Sequence, residues 1–418
     1  MKKYYFVGIC GVSMSSLALF MQSEGNLVRG YDRENSQQLT CKGIEIDNEI
    51  NLTNIDWADE IIYSSAFDEQ FEPIAYALQQ KKKVKVRGKF LAEIAEGYEK
   101  VIAVAGSHGK STVTALIYNI LKIAGKNPSL HVGAKLIELG RSYDICGKEY
   151  FVTEACEYHD NFLFLHPYLS VITNVESEHL DYFKSFARER RSFEKFKQQS
   201  EISVSQNKLW VKNLKTDEKG NISFCIMDGE QARFKIKMKI GGKYNAQNAA
   251  TAAEAAIRLG ISDCYIKYGI ESFRGLQKRF EKVESNLAST VILDYAHHPK
   301  EICAVYDCIK NMRAKKVAVF QPHTYSRSKA FMDDFVKSLS KFDEVILFKT
   351  FSAREKEQRE VEVKLVHLLA EHKKVIMFYD INALTNKLSC YHDDAIICIM
   401  GAGNLPELLQ ERKFIWRV

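Results

Sequence analysis

Short apolar runs alternate along the chain with stretches whose apolar residues recur at helical spacing, and the alternation repeats in three blocks. In the first, the run from Tyr4 to Val7 predicts a strand, Gly8 and Gly11 a turn, and Leu17, Leu19, Phe20 and Met21 an amphipathic helix. A second strand is predicted from Glu60 to Tyr63 and a closing helix from Lys89 to Glu96. The second block opens on a strand at Val101 and continues with strands from Tyr150 to Thr153 and Leu169 to Thr173, each β-branched or aromatic and each halted by polar residues. A strand pair with alternating faces is expected on either side of Asp228 and Gly229, then an alanine-rich helix from Asn245 to Leu259. In the third block, strands are predicted to start at Thr290, Lys316, Glu344, Lys374 and Ala395, with Phe331, Phe335 and Leu339 on one helical face between them. This pattern predicts an α/β protein of three units, each with a largely parallel sheet, divided as residues 1–97, 98–288 and 289–418.

Composition narrows the function classes. A chain of 418 residues with 46% apolar and 27% charged residues is expected to be an ordinary soluble globular protein. The net charge of +6 comes from dispersed lysines, and the basic stretches at 81–87 and 188–191 lack the interleaved aromatics of a nucleic-acid surface, so no nucleic-acid partner is expected. Ten cysteines without Cys-x-x-Cys spacing suit buried thiols in a reducing cytoplasm. Lys2 and Lys3 ahead of an apolar run imitate a signal peptide, but Gly8, Gly11 and the amphipathic continuation favour strand, loop and helix. With no uninterrupted apolar segment of bilayer length, no membrane insertion is expected.

Candidate chemistry concentrates where predicted strands end. After Val101 to Ala105 come Gly106, Ser107, His108, Gly109, Lys110, Ser111 and Thr112, which read as a phosphate loop opening a helix. Small residues let the backbone from Gly106 to Lys110 turn consecutive N–H groups toward one anion, and the helix dipole adds to the attraction. Lys110 is expected to reach the outer phosphates of a nucleoside triphosphate, and a hydroxyl of Ser111 or Thr112 to hold Mg²⁺. The first glycine of the general pattern falls at Val104. Glu154 and Glu157 follow the second strand of this block, and Asn174, Glu176, Glu178, His179 and Asp181 the third. Glu154 can ligate Mg²⁺; for His179 a metal role and a structural hydrogen bond both stand open, because Mg²⁺ rarely takes imidazole. Asp294, His297 and His298 end one strand of the third block and His323, Tyr325 and Arg327 another, where Arg327 can clamp a carboxylate. In the first block, Gly8, Gly11 and Ser13 match a dinucleotide fingerprint only loosely, with Asp32 at the spacing of a ribose contact.

Together and in this order, the segments 8–18, 63–66, 106–112, 154–158, 173–182, 279–281, 294–299 and 320–327 resemble the Mur ligases of peptidoglycan synthesis over nearly the whole chain, and within them the alanine-adding branch. The resemblance implies a Rossmann-like first domain for a uridine diphosphate sugar, a central P-loop domain for ATP and a Rossmann-like last domain for an amino acid. The implied reaction is ATP-dependent ligation of L-alanine to the lactyl carboxylate of UDP-N-acetylmuramate through an acyl phosphate. Lys110, Glu154 and His179 take the catalytic roles in this resemblance, with Mg²⁺ on Ser111, Glu154 and His179. The loop from Gly106 to Thr112 with Asn248, Arg279 and Asp294 is implied to bind ATP. Gly8, Gly11, Val12, Asp32 and Ser64 are assigned to the sugar nucleotide, and His323 and Arg327 to the amino acid and acyl substrate. A cytoplasmic monomer or dimer is expected. Two further readings fit the same motifs: a ligase that recycles a cell-wall peptide onto the same sugar nucleotide, and a non-catalytic paralogue that senses it.

The chain departs from the family pattern at several points. Ser107 and Ser111 stand for threonine, Ser13 and Ser16 for glycines whose absence is expected to crowd the diphosphate, and Tyr244 for histidine. The segment 196–242 is much shorter than its family counterpart.

Overall fold

The computed structural model describes residues 1–416 apart from 177–179, 206–207, 218–219, 288, 354 and 392–394. The chain forms two compact units, one of residues 1–211, 226–236 and 247–273, the other of residues 212–225, 237–246 and 274–418.

The first unit holds two sheets. One orders five parallel strands as Glu45–Asp47, Leu27–Tyr31, Lys3–Val7, Glu60–Tyr63 and Lys83–Val86. Its central strand Lys3–Val7 is covered on both faces, which is why its sequence is a continuous apolar run rather than an alternation. The strand order reverses there, so its carboxyl end, where Gly8 begins the turn into helix Val12–Ser23, is the switch point at which such sheets take ligands.

The other sheet orders six strands as Ile202–Val204, Leu169–Ile172, Lys100–Ala105, Tyr150–Glu154, Ser129–His131 and Tyr143–Asp144, parallel except for the last pair. Helix Lys110–Ile123 leaves the central strand and packs on helix Asp263–Ser272 at Gly269, where an added Cβ would stand 2.7 Å from Ile120 Cα. Only glycine allows that approach.

The expected strand pair forms as Ile222–Asp228 and Gln231–Met238, turning at Gly229 with φ 58°. Leu209–Thr216 adds a third strand beside Ile222–Asp228. Its mostly exposed side chains give it no apolar signature, so the hydrophobic pattern does not announce it.

In the second unit, seven strands run in the order Lys374–Phe378, Glu344–Phe348, Lys315–Phe320, Ala395–Met400, Thr290–Asp294, Glu281–Ser285 and Ile415–Trp416. The five predicted strands are mutually parallel, and the last two extend the sheet with antiparallel pairings. Glu281–Ser285 was not predicted because charged residues interrupt its apolar pattern; it lies between Thr290–Asp294 and the two-residue edge strand Ile415–Trp416. Among the described residues, no helix is long and apolar enough to cross a membrane.

Candidate active site

In the central sheet of the first unit, three adjacent strand ends build the phosphate loop. Val104 lies in register with Glu154, and Ala105 with Ile172, so the loop leaves the sheet with Glu154 on one side and Thr173 and Asn174 on the other. The 173–176 segment ties the loop down. Thr173 Oγ1 donates to His108 O at 2.6 Å, Asn174 Nδ2 donates to the same oxygen at 3.0 Å, and Glu176 N donates to Ser107 Oγ at 2.8 Å. Ser107 N and His108 N donate to Asn174 O and Oδ1, at 3.1 and 2.9 Å. These two N–H groups are therefore engaged inside the protein, whereas the expected loop aimed them at an anion.

Gly109, at φ 82°, caps helix Lys110–Ile123 without a side-chain cap, leaving the first-turn N–H groups of Lys110, Ser111 and Thr112 as the anion-facing set. Asn248, on helix Lys243–Arg258, lies against this cap: a Cβ on Gly109 would come within 2.5 Å of Asn248 Oδ1.

Lys110 Nζ reaches Gly106 O, Ser107 O at 3.3 Å and Glu157 Oε1 at 2.9 Å. Burial opposes its charge most strongly, but Glu157, Cys156 and Glu154 together outweigh it and hold the ammonium pKa above its ordinary value. The pairing with Glu157 was not anticipated. Glu154 Oε1 accepts from Gly133 N at 2.6 Å. Among the described residues no three His, Cys, Asp or Glu side chains converge as a metal site, so a cation here would draw on one carboxylate, a hydroxyl, phosphate and water, a set Mg²⁺ accepts. His179, assigned to that site by resemblance, lies outside the described residues.

At the switch point of the first sheet, Gly8 has φ 82°, and a Cβ there would stand 2.8 Å from the Phe67 ring and 3.2 Å from Ser64 Cβ. Gly11 caps the following helix, whose first residue Val12 is exposed. Asp32 shapes this turn from the neighbouring strand by accepting from Cys10 N at 2.9 Å and Glu34 N at 3.3 Å. Gly8, Gly11, Val12, Asp32 and Ser64 thus gather at one strand edge.

Two departures from the family pattern are hydrogen-bonded. Ser13 Oγ meets His131 Nε2 at 3.1 Å and accepts from Arg87 Nη1 at 3.2 Å, and Ser16 Oγ contacts Ser142 Oγ and donates to Val12 O at 2.8 Å. The His131 ring is buried, with Nδ1 3.1 Å from Thr153 Oγ1, one residue before Glu154. Burial and then the Arg87 guanidinium push its pKa down to about 3, so it is neutral at physiological pH. Arg87 and His131 were missed as site residues, and Glu157, named among the strand-end carboxylates, was given no partner; a polar residue closing an apolar run, as His131 does, was the available signal.

The second unit carries its own cluster. Asp294 is half-buried and accepts from Phe280 N at 2.7 Å and Ala296 N at 2.8 Å. Burial raises its pKa to about 6, against the lowering pull of Arg279, whose guanidinium sits 5.3 Å from the Tyr295 ring centre. His298 and Glu301 form a capping box on helix Pro299–Ile309, so His298 is occupied structurally. Arg327 Nη1 stands 3.2 Å from His323 Nδ1, and burial followed by Arg327 lowers the His323 pKa to about 4. The result is a neutral imidazole beside a guanidinium at the end of strand Lys315–Phe320.

The chain matches three family profiles: "Mur ligase family, catalytic domain" over residues 3–99, "Mur ligase middle domain" over residues 104–204, and "Mur ligase, glutamate ligase domain" over residues 278–403. A UDP-N-acetylmuramate--L-alanine ligase from Caldanaerobacter subterraneus is 34% identical over 451 residues, covering 99% of this chain and 98% of that protein. The UDP-N-acetylmuramate-alanine ligase of Thermotoga maritima shares the fold with a TM-score of 0.85 at 24% identity over 98% of both chains. A MurF ligase from the same organism, in complex with ADP, gives 0.61 at 16% identity over 84% of this chain and 94% of that one.

Proposed function

Because this chain belongs to the Mur ligase family, we infer that it joins L-alanine to UDP-N-acetylmuramate at the expense of ATP, in the synthesis of peptidoglycan precursors. The end-to-end likeness to an alanine-adding relative carries this reading, since it includes the last block, which is assigned to the amino acid. Residues 1–97 are assigned to the sugar nucleotide, 98–288 to ATP and 289–418 to the amino acid, in a cytoplasmic monomer or dimer.

In the first step a lactyl carboxylate oxygen attacks the γ-phosphorus of ATP; the new O–P bond forms as the bond to the ADP oxygen breaks. The amine of L-alanine then attacks the acyl carbon, the C–N bond forms, phosphate leaves and the nitrogen loses a proton. Both reactants of the first step are anions, so the main demand is positive charge fixed in place. Lys110, drawn to Glu157, and the uncapped first turn of helix Lys110–Ile123 supply it. Ser111 and Glu154 offer oxygen donors suited to Mg²⁺, with His179 the third assigned ligand; the ion, when bound, would neutralise phosphate charge. Asn248 beside the loop is assigned to adenine, Arg279 and Asp294 to ATP, and His323 and Arg327 to the amino acid and acyl group.

Phosphate release by the purified protein with UDP-N-acetylmuramate, ATP and Mg²⁺ tests this, comparing L-alanine, glycine, L-serine and a tripeptide. Release that depends on L-alanine supports the reading. Dependence on the tripeptide would indicate the recycling ligase, and release with none of the four a sensing paralogue.

A further inference from the structure

The turn that carries His323 and Arg327 is fastened by a carboxylate that has no part in the chemistry above. Residues 322–324 pair with Phe351: Phe351 N donates to Pro322 O at 2.9 Å and Thr324 N to Phe351 O at 3.0 Å. The His323 ring stacks on Phe351 with centroids 5.7 Å apart and planes 19° apart. Four positions after Phe351, Glu355 accepts from Tyr325 N at 2.6 Å, from Ser326 N at 3.0 Å and from Ser326 Oγ. The two N–H groups belong to the first turn of helix Tyr325–Ala330 and have no partner within the helix.

What this clamp holds is strained. Thr324 sits at φ 65°, a region that β-branched residues avoid, and its hydroxyl accepts from Arg327 N at 3.4 Å. His323 and Arg327 flank that residue, with Nδ1 and Nη1 3.2 Å apart. A merely solvated glutamate would not gather three donors from two successive residues; the arrangement fixes a backbone turn that the local sequence does not favour.

We propose that Glu355 is a positioning residue for amino-acid recognition: by holding Tyr325 and Ser326 it keeps the Thr324 turn in its left-handed form and so sets the spacing and orientation of His323 and Arg327. This rests on the assignment of those two residues to the amino acid and acyl substrate. Without the carboxylate the turn is free to relax to negative φ, and the imidazole and guanidinium lose their preorganisation toward the incoming molecule.

Steady-state kinetics of Glu355→Ala, Glu355→Gln and Arg327→Ala, with the Glu355→Ala/Arg327→Ala double variant, test it. Glu355→Ala should raise KM for L-alanine about tenfold and leave KM for ATP within about twofold, because the loss is confined to one set of contacts. Glu355→Gln, which keeps one acceptor oxygen, should fall between Glu355→Ala and wild type. The double variant should be less impaired than the two single losses combined would give, since the carboxylate acts in part through Arg327. Circular dichroism melting identifies any variant that has lost its fold; if Glu355→Ala has, Glu355→Gln carries the same comparison. An alanine KM that rises with Arg327→Ala but not with either Glu355 variant overturns the proposal and leaves the assignment of Arg327 standing. An equal rise in both KM values, or additive effects in the double variant, also overturns it. If Arg327→Ala leaves the alanine KM unchanged, the assignment itself fails and the proposal with it.

Discussion

Lys110 Nζ stands 2.9 Å from Glu157 Oε1, and the glutamate side chain is only 1% exposed. The lysine expected to face phosphate is thus held by a buried carboxylate 47 residues along the chain. Such a pair costs little when both members are present, but removing one strands the other, typically by about 3–5 kcal/mol. Lys110→Ala should therefore do two separable things: abolish L-alanine-dependent phosphate release and lower unfolding stability by roughly 3 kcal/mol. Combining Lys110→Met with Glu157→Gln should restore most of the stability and none of the turnover. Denaturant unfolding and phosphate release distinguish the two effects. Calorimetric titration should still show sugar-nucleotide binding, since that ligand is assigned to the first sheet; recovery of activity in the double variant would remove Lys110 from phosphoryl transfer.

Glu154 ends the strand in register with the one that feeds the loop, and its carboxylate is braced by Gly133 N. Assigned to Mg²⁺, it is one of few anionic donors available there. Glu154→Ala should raise the Mg²⁺ concentration for half-maximal activity by an order of magnitude or eliminate turnover, with little change in melting temperature because the side chain is not deeply buried. An unaltered magnesium titration would take Glu154 out of the metal site.

His131 gives the first unit an acid-sensitive joint. Folded, it stays neutral down to about 3 because of burial and Arg87; unfolded, it takes up a proton near its ordinary 6.5. The unfolded state thus binds more protons between those values, and stability falls as pH is lowered through that window, by up to about 1.4 kcal/mol per pH unit. His131→Asn, which can still bridge Ser13 and Thr153, should flatten this slope when urea midpoints are compared from pH 7 to pH 4. Identical slopes in variant and wild type would show that His131 titrates normally in the folded protein.

The legible features were local ones. Buried parallel strands such as Lys3–Val7 and Lys315–Phe320 are continuous apolar runs, and the phosphate loop announces itself through Gly106, Gly109 and Lys110, because backbone freedom and charge at fixed spacing are written within a few residues. What could not be read depends on chain segments meeting. Glu157 matters because two strands align beside each other, and Glu355 because strands Lys315–Phe320 and Glu344–Phe348 bring their following loops together. Ser13 and Ser16 read as obstacles to a diphosphate when only a missing glycine is counted. In the fold their hydroxyls are bonded to Val12, Arg87, His131 and Ser142.

Asp294 titrates in the opposite sense to His131. Burial lifts its folded pKa from 3.8 to about 6, so the folded state holds its proton more tightly than the unfolded chain. Its contribution is fully favourable below about 4 and is lost as pH rises to 6, a change of about 3 kcal/mol for a shift of roughly two units. Above 6 the carboxylate is ionised, and the N–H groups of Phe280 and Ala296 with the Arg279 guanidinium compensate only part of the cost. Asp294→Asn keeps one oxygen for those donors and cannot ionise, so it is handicapped by an imperfect hydrogen bond at every pH but escapes the ionisation cost at neutrality. The difference in unfolding free energy between variant and wild type should therefore move in the variant's favour by about 2 kcal/mol from pH 4 to pH 7. The same variant should lose ligase activity at pH 7 if the charge of Asp294 serves the ATP site, which separates its catalytic value from its cost in stability. A stability difference that stays constant over that range would mean that Asp294 ionises at its ordinary pKa.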